Sequence, residues 1–244
     1  MYGWRGRIGL LVPSTNYTVE MEFHRAIPEG VSVHTARCEL RDTASTEADR
    51  VAAILEMGKG VALAARRVAG VRPKVIAWAC TAGSFMKGIG HDLELIEQVE
   101  RETEITAITT STAVVDALKM LNLRRIAVAT PYIERIDQEE KAFLEKSLPG
   151  LEVVKIKGLG IMTGYEKGTL EPYSAYTAAR EVDSPTADGL FISCTAWRTF
   201  EIIEQLENDL GKPVITSNQA TLWASLKTLG IRRIDHYGSL LKTL

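Results

Sequence analysis

Two cysteines in this chain share one tripeptide, Cys80-Thr81-Ala82 and Cys194-Thr195-Ala196. Each follows an apolar run, Val75-Ile76-Ala77-Trp78-Ala79 in one case and Gly189-Leu190-Phe191-Ile192-Ser193 in the other. Small polar residues and then a helical pattern come next, so a strand-turn-helix unit is expected twice, with a thiol at the carboxyl end of each buried strand. A thiol facing the first turn of a helix meets unpaired N–H groups and the positive end of the dipole, and thiolate is favoured there. Two thiols on opposite sides of a small carboxylate can remove a proton from one face and return one on the other, which is racemisation without a cofactor. Alternatively, one thiolate adds to an activated double bond, rotation follows, and the second manages the proton until elimination yields the other geometric isomer. Either scheme needs donors for a carboxylate, expected from the backbone N–H groups after each Cys and from nearby hydroxyls; no basic residue is required.

A single cysteine at a strand end is an ordinary core residue, because free thiols pack like small hydrophobes. The duplicated context separates Cys80 and Cys194 from Cys38, which lies in His34-Thr35-Ala36-Arg37-Cys38-Glu39-Leu40 and reads as structural. Ser14, Asn16 and Tyr132 stand at matching strand ends, in Pro13-Ser14-Thr15-Asn16 and Thr130-Pro131-Tyr132. Their side chains can bind a carboxylate or cap a helix, and Thr81, Thr195, Thr110, Ser111, Ser217 and Asn218 carry the same two readings. The four histidines have no metal-ligand spacing, so no metal and no cofactor is expected. In Gly158-Leu159-Gly160-Ile161-Met162-Thr163-Gly164 the third glycine comes one position too late for a dinucleotide-binding turn. Glu20, Glu22 and the pairs Arg124/Arg125 and Arg232/Arg233 read as solvated faces and helix ends.

The elements that must position these residues also repeat. Leu118-Lys119-Met120-Leu121-Asn122-Leu123-Arg124-Arg125-Ile126 matches Leu226-Lys227-Thr228-Leu229-Gly230-Ile231-Arg232-Arg233-Ile234 at six of nine positions. Ile108-Thr109-Thr110-Ser111-Thr112-Ala113 resembles Ile215-Thr216-Ser217-Asn218-Gln219-Ala220, and Ile8-Gly9-Leu10-Leu11-Val12-Pro13 resembles Ile126-Ala127-Val128-Ala129-Thr130-Pro131. This period is far too long for a solenoid and points to a duplicated domain. Eight apolar runs, at 7–12, 31–38, 75–79, 105–109, 125–129, 151–157, 189–193 and 213–216, read as strands. Helical patterns between them cover 46–68, 92–103, 112–121, 133–148, 172–182, 199–208 and 220–229. Alternating strands and helices, with several strands apolar on both faces, predict an α/β protein of two pseudo-symmetric lobes. Each lobe is a doubly wound parallel sheet covered by helices. The expected division is residues 1–117 plus 217–244 for the first lobe and 118–216 for the second, the last helix returning to the first lobe. Ligands in such sheets bind beyond the carboxyl ends of the strands, so both Cys-Thr-Ala segments are expected to line one inter-lobe cleft.

Composition narrows the function class. With 45% apolar and 25% charged residues and a formal charge of -2, the chain is that of an ordinary globular protein and carries no basic excess for nucleic acid. No apolar run of about 20 residues is present to span a membrane, and the stretch after Arg5-Gly6-Arg7 is too short for a signal peptide. Three widely spaced cysteines do not make a disulfide framework, which suits a reducing compartment. A cytoplasmic homo-oligomer acting on a small carboxylate or dicarboxylate is expected, without nucleic-acid or membrane partners.

Taken together, Val12-Pro13-Ser14-Thr15-Asn16, Ala79-Cys80-Thr81-Ala82-Gly83-Ser84, Thr130-Pro131-Tyr132, Ser193-Cys194-Thr195 and the stretch from Leu210 to Ala220 resemble the aspartate/glutamate racemase superfamily. Within it, the chain is similar to the branch of maleate cis-trans isomerases, arylmalonate decarboxylases and ectoine-utilisation proteins. The isomerase resemblance implies Cys80 as nucleophile and Cys194 as proton donor, with Asn16 and Tyr132 holding the substrate and Ser14, Thr81, Ala82, Thr195 and Gly164 around it. The decarboxylases lack the first cysteine, so Cys80 implies isomerase or racemase chemistry. One position departs from that pattern. Maleate isomerases tend to show Asp-Asn where this chain has Thr163-Gly164, closer to the decarboxylases, which implies lost selectivity for maleate and an opened space. Decarboxylation with Cys194 as proton donor, and ligand binding without catalysis, remain as alternatives.

Overall fold

The computed structural model describes residues 1–244 and contains two parallel sheets of four strands each. In the first sheet, β1 (Gly6–Pro13), β2 (Val31–Cys38), β3 (Val75–Trp78) and β4 (Ala107–Thr109) lie in the order β2-β1-β3-β4. In the second, β5 (Arg125–Thr130), β6 (Glu152–Gly158), β7 (Gly189–Ile192) and β8 (Val214–Thr216) repeat that order as β6-β5-β7-β8. The expected two-lobed, doubly wound α/β fold is therefore present, and all eight strands coincide with the apolar runs to within about two residues. β1, β3, β5 and β7 are buried almost throughout, which explains why they read as continuous apolar runs rather than alternating ones.

This strand order decides where a ligand can sit. The chain leaves β1 toward β2 on one side, then crosses back to β3 on the other, so the carboxyl ends of β1 and β3 flank a switch point. The segment Pro13–Asn16 and Cys80 stand there in the first lobe. Thr130–Tyr132 and Cys194 stand at the equivalent point between β5 and β7, and each thiol lies two residues past its strand.

Eleven α-helices cover the sheets: α1 (Thr18–Ala26), α2 (Glu47–Gly58), α3 (Val61–Ala69), α4 (Thr81–Phe85), α5 (His91–Thr103), α6 (Thr110–Met120), α7 (Glu134–Ser147), α8 (Gly164–Thr169), α9 (Pro172–Val182), α10 (Ile203–Leu210) and α11 (Ser217–Thr228). The helix expected over 46–68 is two helices, because Gly58-Lys59-Gly60 interrupts it; glycine is a poor interior helix residue, and Gly60 caps α3 instead. Helices α4 and α8 are too short to show a period, and α1, a nine-residue helix with Val19, Phe23 and Ala26 on one face, was not among the expected ones.

The duplicated sequence has a structural counterpart in α6 and α11, which pack against each other between the sheets. Each opens with a reciprocal capping box, Thr109 with Thr112 and Thr216 with Gln219. Each closes on a left-handed residue, Asn122 (φ 53°) or Gly230 (φ 70°). The N–H of Leu123 then returns to the Leu118 carbonyl, and that of Ile231 to the Leu226 carbonyl, both at 3.0 Å. After this point the copies diverge, since Arg125-Ile126 enters β5 while Arg233-Ile234 forms no strand. The boundary expected at 117/118 falls within α6, and α11 packs on α6, β3 and β4.

Candidate active site

Cys80 is the N-cap of α4, and its sulfur accepts the Gly83 N–H at 3.3 Å. A Cβ on residue 83 would lie 2.9 Å from that sulfur and 3.0 Å from the Trp78 ring, so glycine is what lets the backbone approach the thiol. The N–H groups of Thr81 and Ala82, at the open end of α4, have no partner within the protein. Cys194 is held differently. No helix opens on it; residues Thr195–Ile202 run as turns before α10, and Cys194 itself adopts φ 98°. The expectation of a helix directly behind both thiols therefore holds only for Cys80. The loop is fixed instead by side chains. The Cys194 N–H donates to Ser217 Oγ at 3.0 Å, and Asn218 Nδ2 donates to the Thr195 carbonyl at 3.0 Å. The N–H group of Thr195 is, like those of Thr81 and Ala82, unpaired, while that of Ala196 points to the Cys194 sulfur.

Both thiols line one cavity of about 40 Å³ between the lobes, room for about three water molecules. Of the residues singled out in the sequence, Asn16, Thr81, Ala82, Tyr132, Gly164 and Thr195 line it as well. Ser14 does not. Its hydroxyl accepts the Leu40 N–H at 3.0 Å and the residue faces outward, so it braces the loop after β2. Asn16 combines the two readings offered for it. Its Oδ1 accepts the N–H groups of Thr18 and Val19 at 3.0 and 3.2 Å, capping α1, while Nδ2 donates to Thr195 Oγ1 at 3.0 Å. Thr195 passes its own hydroxyl proton to the Ala79 carbonyl at 3.1 Å, and Thr81 donates to Ser217 Oγ at 2.9 Å. The chain from Asn16 through Thr195 to the Ala79 carbonyl ties the lobes together beside the thiols, and Cys38 lies buried at the end of β2.

The expected preference for thiolate is not met in this closed cavity. Burial pushes the Cys80 thiol up to about 12, against a smaller pull from the Gly83 N–H. Burial also raises Cys194, opposed mainly by Lys167 and then by the Ala196 N–H and the Tyr132 hydroxyl. Removing water from an anion costs more here than a five-residue helix and two neighbouring cations return. Water admitted beside the thiols would weaken the first effect and leave the second.

Those cations, Arg50 and Lys167, are the residues that sequence reasoning missed. Both line the cavity and both are buried. Arg50 follows the Thr46–Asp49 capping box of α2 and shares one stripe with Ile54 and Met57, four and seven positions on, which also line the cavity. A charge on an apolar stripe was the readable signal. Lys167 lies on α8, a segment without apolar period, and left no signal. Asp42 joins the two elements: it accepts Arg50 Nη1 at 2.8 Å and the first N–H groups of α8, from Gly164 at 2.6 Å and Tyr165 at 2.8 Å. The space expected beside Gly164 is not open either. A Cβ there would lie 2.7 Å from Thr15 Oγ1 and 3.3 Å from Asp42 Oδ1. Glu22, expected on a solvated face, is buried. It accepts the Thr199 and Phe200 N–H groups at 2.6 and 2.9 Å and Asn218 Nδ2 at 2.5 Å, and burial lifts its carboxyl to about 7.

Among solved structures, a maleate isomerase from Pseudomonas putida S16, in complex with maleate, superposes with a TM-score of 0.90 at 23% identity over 97% of each chain. A mutant of arylmalonate decarboxylase in liganded form superposes with a TM-score of 0.86 at 26% identity over 97% of this chain and 98% of that one. By sequence, the maleate isomerase of Nocardia farcinica is 28% identical over 92% of this chain and 90% of its own length. The arylmalonate decarboxylase of Bordetella bronchiseptica is 32% identical over 68% of this chain and 69% of its own. Since the family model described as arylmalonate decarboxylase matches residues 8–241, nearly the whole length, this chain belongs to that family.

Proposed function

We infer that this protein is a cofactor-independent isomerase of a small carboxylic acid, with Cys80 as nucleophile and Cys194 as the group that handles the proton. The observation that carries this reading is the convergence of two thiols, from equivalent strand ends of the two lobes, on one small cavity. The Cys80 thiolate adds to one alkene carbon, forming a C–S bond as the π pair moves toward the adjacent carboxylate. Cys194 delivers its proton to the neighbouring carbon. The former double bond, now single, rotates; Cys194 takes the proton back, the C–S bond breaks, and the trans alkene and both starting sulfur states return. The unpaired N–H groups of Thr81 and Ala82 on one side, and of Thr195 on the other, suit the charge that gathers on a carboxylate during addition. Asn16, Thr195 and Tyr132 shape the space between, and Gly164 admits Thr15 and Asp42 to its edge.

Decarboxylation is the second reading, favoured by the 32% identity to the B. bronchiseptica decarboxylase. It needs one proton donor, whereas this cavity holds two thiols. A panel of maleate, other small unsaturated acids, α-substituted malonates and amino acids, followed by proton NMR in deuterated water, separates the readings. Cis-trans conversion or solvent deuteration without release of carbon dioxide is the expected result. Carbon dioxide release from malonates alone replaces the isomerase by the lyase. Stabilisation without turnover replaces both by a binding protein.

The same reading retains the division into 1–117 plus 217–244 and 118–216, supported by the packing of α11 on α6 and β3. It also retains a cytoplasmic homo-oligomer, in keeping with three free cysteines. No helix is long and apolar enough to cross a membrane.

A further inference from the structure

Lys167 is 2% exposed, yet its ammonium group has a single oxygen partner, the Met162 carbonyl at 3.4 Å. Its other neighbour is the face of Tyr132, with the ring centroid at 5.3 Å. Arg50 is 6% exposed; Nη1 is paired with Asp42, and Nε is buried without a partner. Asp42 is the one carboxylate joined to this pair, and it is shared with the first N–H groups of α8. Asp137 accepts the Thr130 hydroxyl at 2.5 Å and acts on Lys167 only through space, without a hydrogen bond. Two buried cations thus line the cavity, and while Arg50 is paired with Asp42, the ammonium of Lys167 has no carboxylate in hydrogen-bond contact. A charge in that position is costly to a folded protein unless something pairs with it.

We propose that Arg50 and Lys167 form an anion subsite that takes one carboxylate of the substrate and makes the cavity select dianions over monoanions. The inference rests on the isomerase reading for what happens next, but the selection is a property of binding alone. The subsite lies at the wall built by α2 and α8, while the unpaired N–H groups lie beside the two thiols. A diacid is larger than the cavity of about 40 Å³, so the cavity must widen to take it; one carboxylate then lies on the charged donors and the other on the backbone donors, with the central bond between the sulfurs. A monoacid or a half-amide carries one carboxylate and can satisfy only one of the two sets of donors with an anion. Because Asp42 connects Arg50 of the first lobe to the start of α8, the anion also completes a junction between lobes.

The test is calorimetric titration of the full-length protein with succinate, which has no double bond to attack, and with its half-amide succinamate. The wild type is expected to prefer succinate by at least about tenfold, the loss of a charged hydrogen bond being of that order. In Lys167→Met and Lys167→Gln the preference is expected to shrink to within about twofold, and Lys167→Arg is expected to retain it. Equal affinities in the wild type, no measurable binding of either compound, or an undiminished preference in both neutral variants overturns the subsite. A retained preference in a protein that turns over none of the panel overturns the isomerase reading and leaves the subsite standing.

Discussion

Asn16 and Thr195, 179 residues apart, are joined across the two lobes by a 3.0 Å hydrogen bond from Nδ2 to Oγ1, immediately beside Cys194. The same Asn16 amide caps α1 through its oxygen, so both ends of the side chain make structural hydrogen bonds. Asn16→Ala is expected to lower stability by about 1–3 kcal/mol, the range for orphaning buried hydrogen-bonding groups, and to weaken the seam between lobes. Denaturant melts measure the first effect. A variant as stable as the wild type shows that water or Thr195 alone satisfies these groups.

Cys80→Ser and Cys194→Ser are each expected to abolish turnover of a confirmed substrate while leaving the melting temperature near that of the wild type. Serine nearly matches cysteine in size but is far less acidic, so it cannot supply the anion at neutral pH. Cys38→Ser is expected to keep activity, since that thiol lies in the core outside the cavity lining. Wild-type rates in either of the first two variants remove the role given to that residue.

Gly164→Asn, which introduces the amide expected from the isomerase resemblance at this position, is expected to destabilise the protein by about 1–3 kcal/mol and not to improve activity. The added Cβ meets Thr15 Oγ1 at 2.7 Å and crowds Asp42, which is already bound to Arg50. Thermal melts and rates on maleate check this. Improved turnover at unchanged stability shows that Thr15 yields without cost.

Burial lifts the carboxyl of Glu140 to about 8 and that of Glu22 to about 7, against ordinary values near 4.5. Between those limits the native chain holds protons that the unfolded chain has released, so the contribution to stability is full below about pH 4.5 and is lost as pH rises through 8. Melting temperature is therefore expected to fall from pH 5 to pH 8. Glu140→Gln, which keeps an acceptor for the Ser193 hydroxyl, is expected to flatten that fall by an amount on the order of a few kcal/mol. An unchanged slope in this variant shows that Glu140 titrates normally.

The strands were legible because β1, β3, β5 and β7 are buried on both faces and bounded by polar turns, so hydrophobicity alone marks them. The long helices were legible from their period. The turn between Cys194 and α10 was not, because what holds it is Glu22, Ser217 and Asn218, none of which is its neighbour in the chain. The same holds for α8, whose start is capped by Asp42, more than a hundred residues earlier.

The sequence by itself determined the duplicated α/β plan and the placement of two equivalent cysteines at strand ends, since both follow from local apolar patterning and repeated motifs. Only the tertiary structure decided the electrostatics of the cavity. Arg50 and Lys167 meet there through elements of different lobes, Glu22 is driven inward by partners far along the chain, and burial outweighs the helix end that was expected to ionise Cys80. Desolvation depends on how completely the surrounding elements exclude water, and that is a property of packing which no short stretch of residues carries.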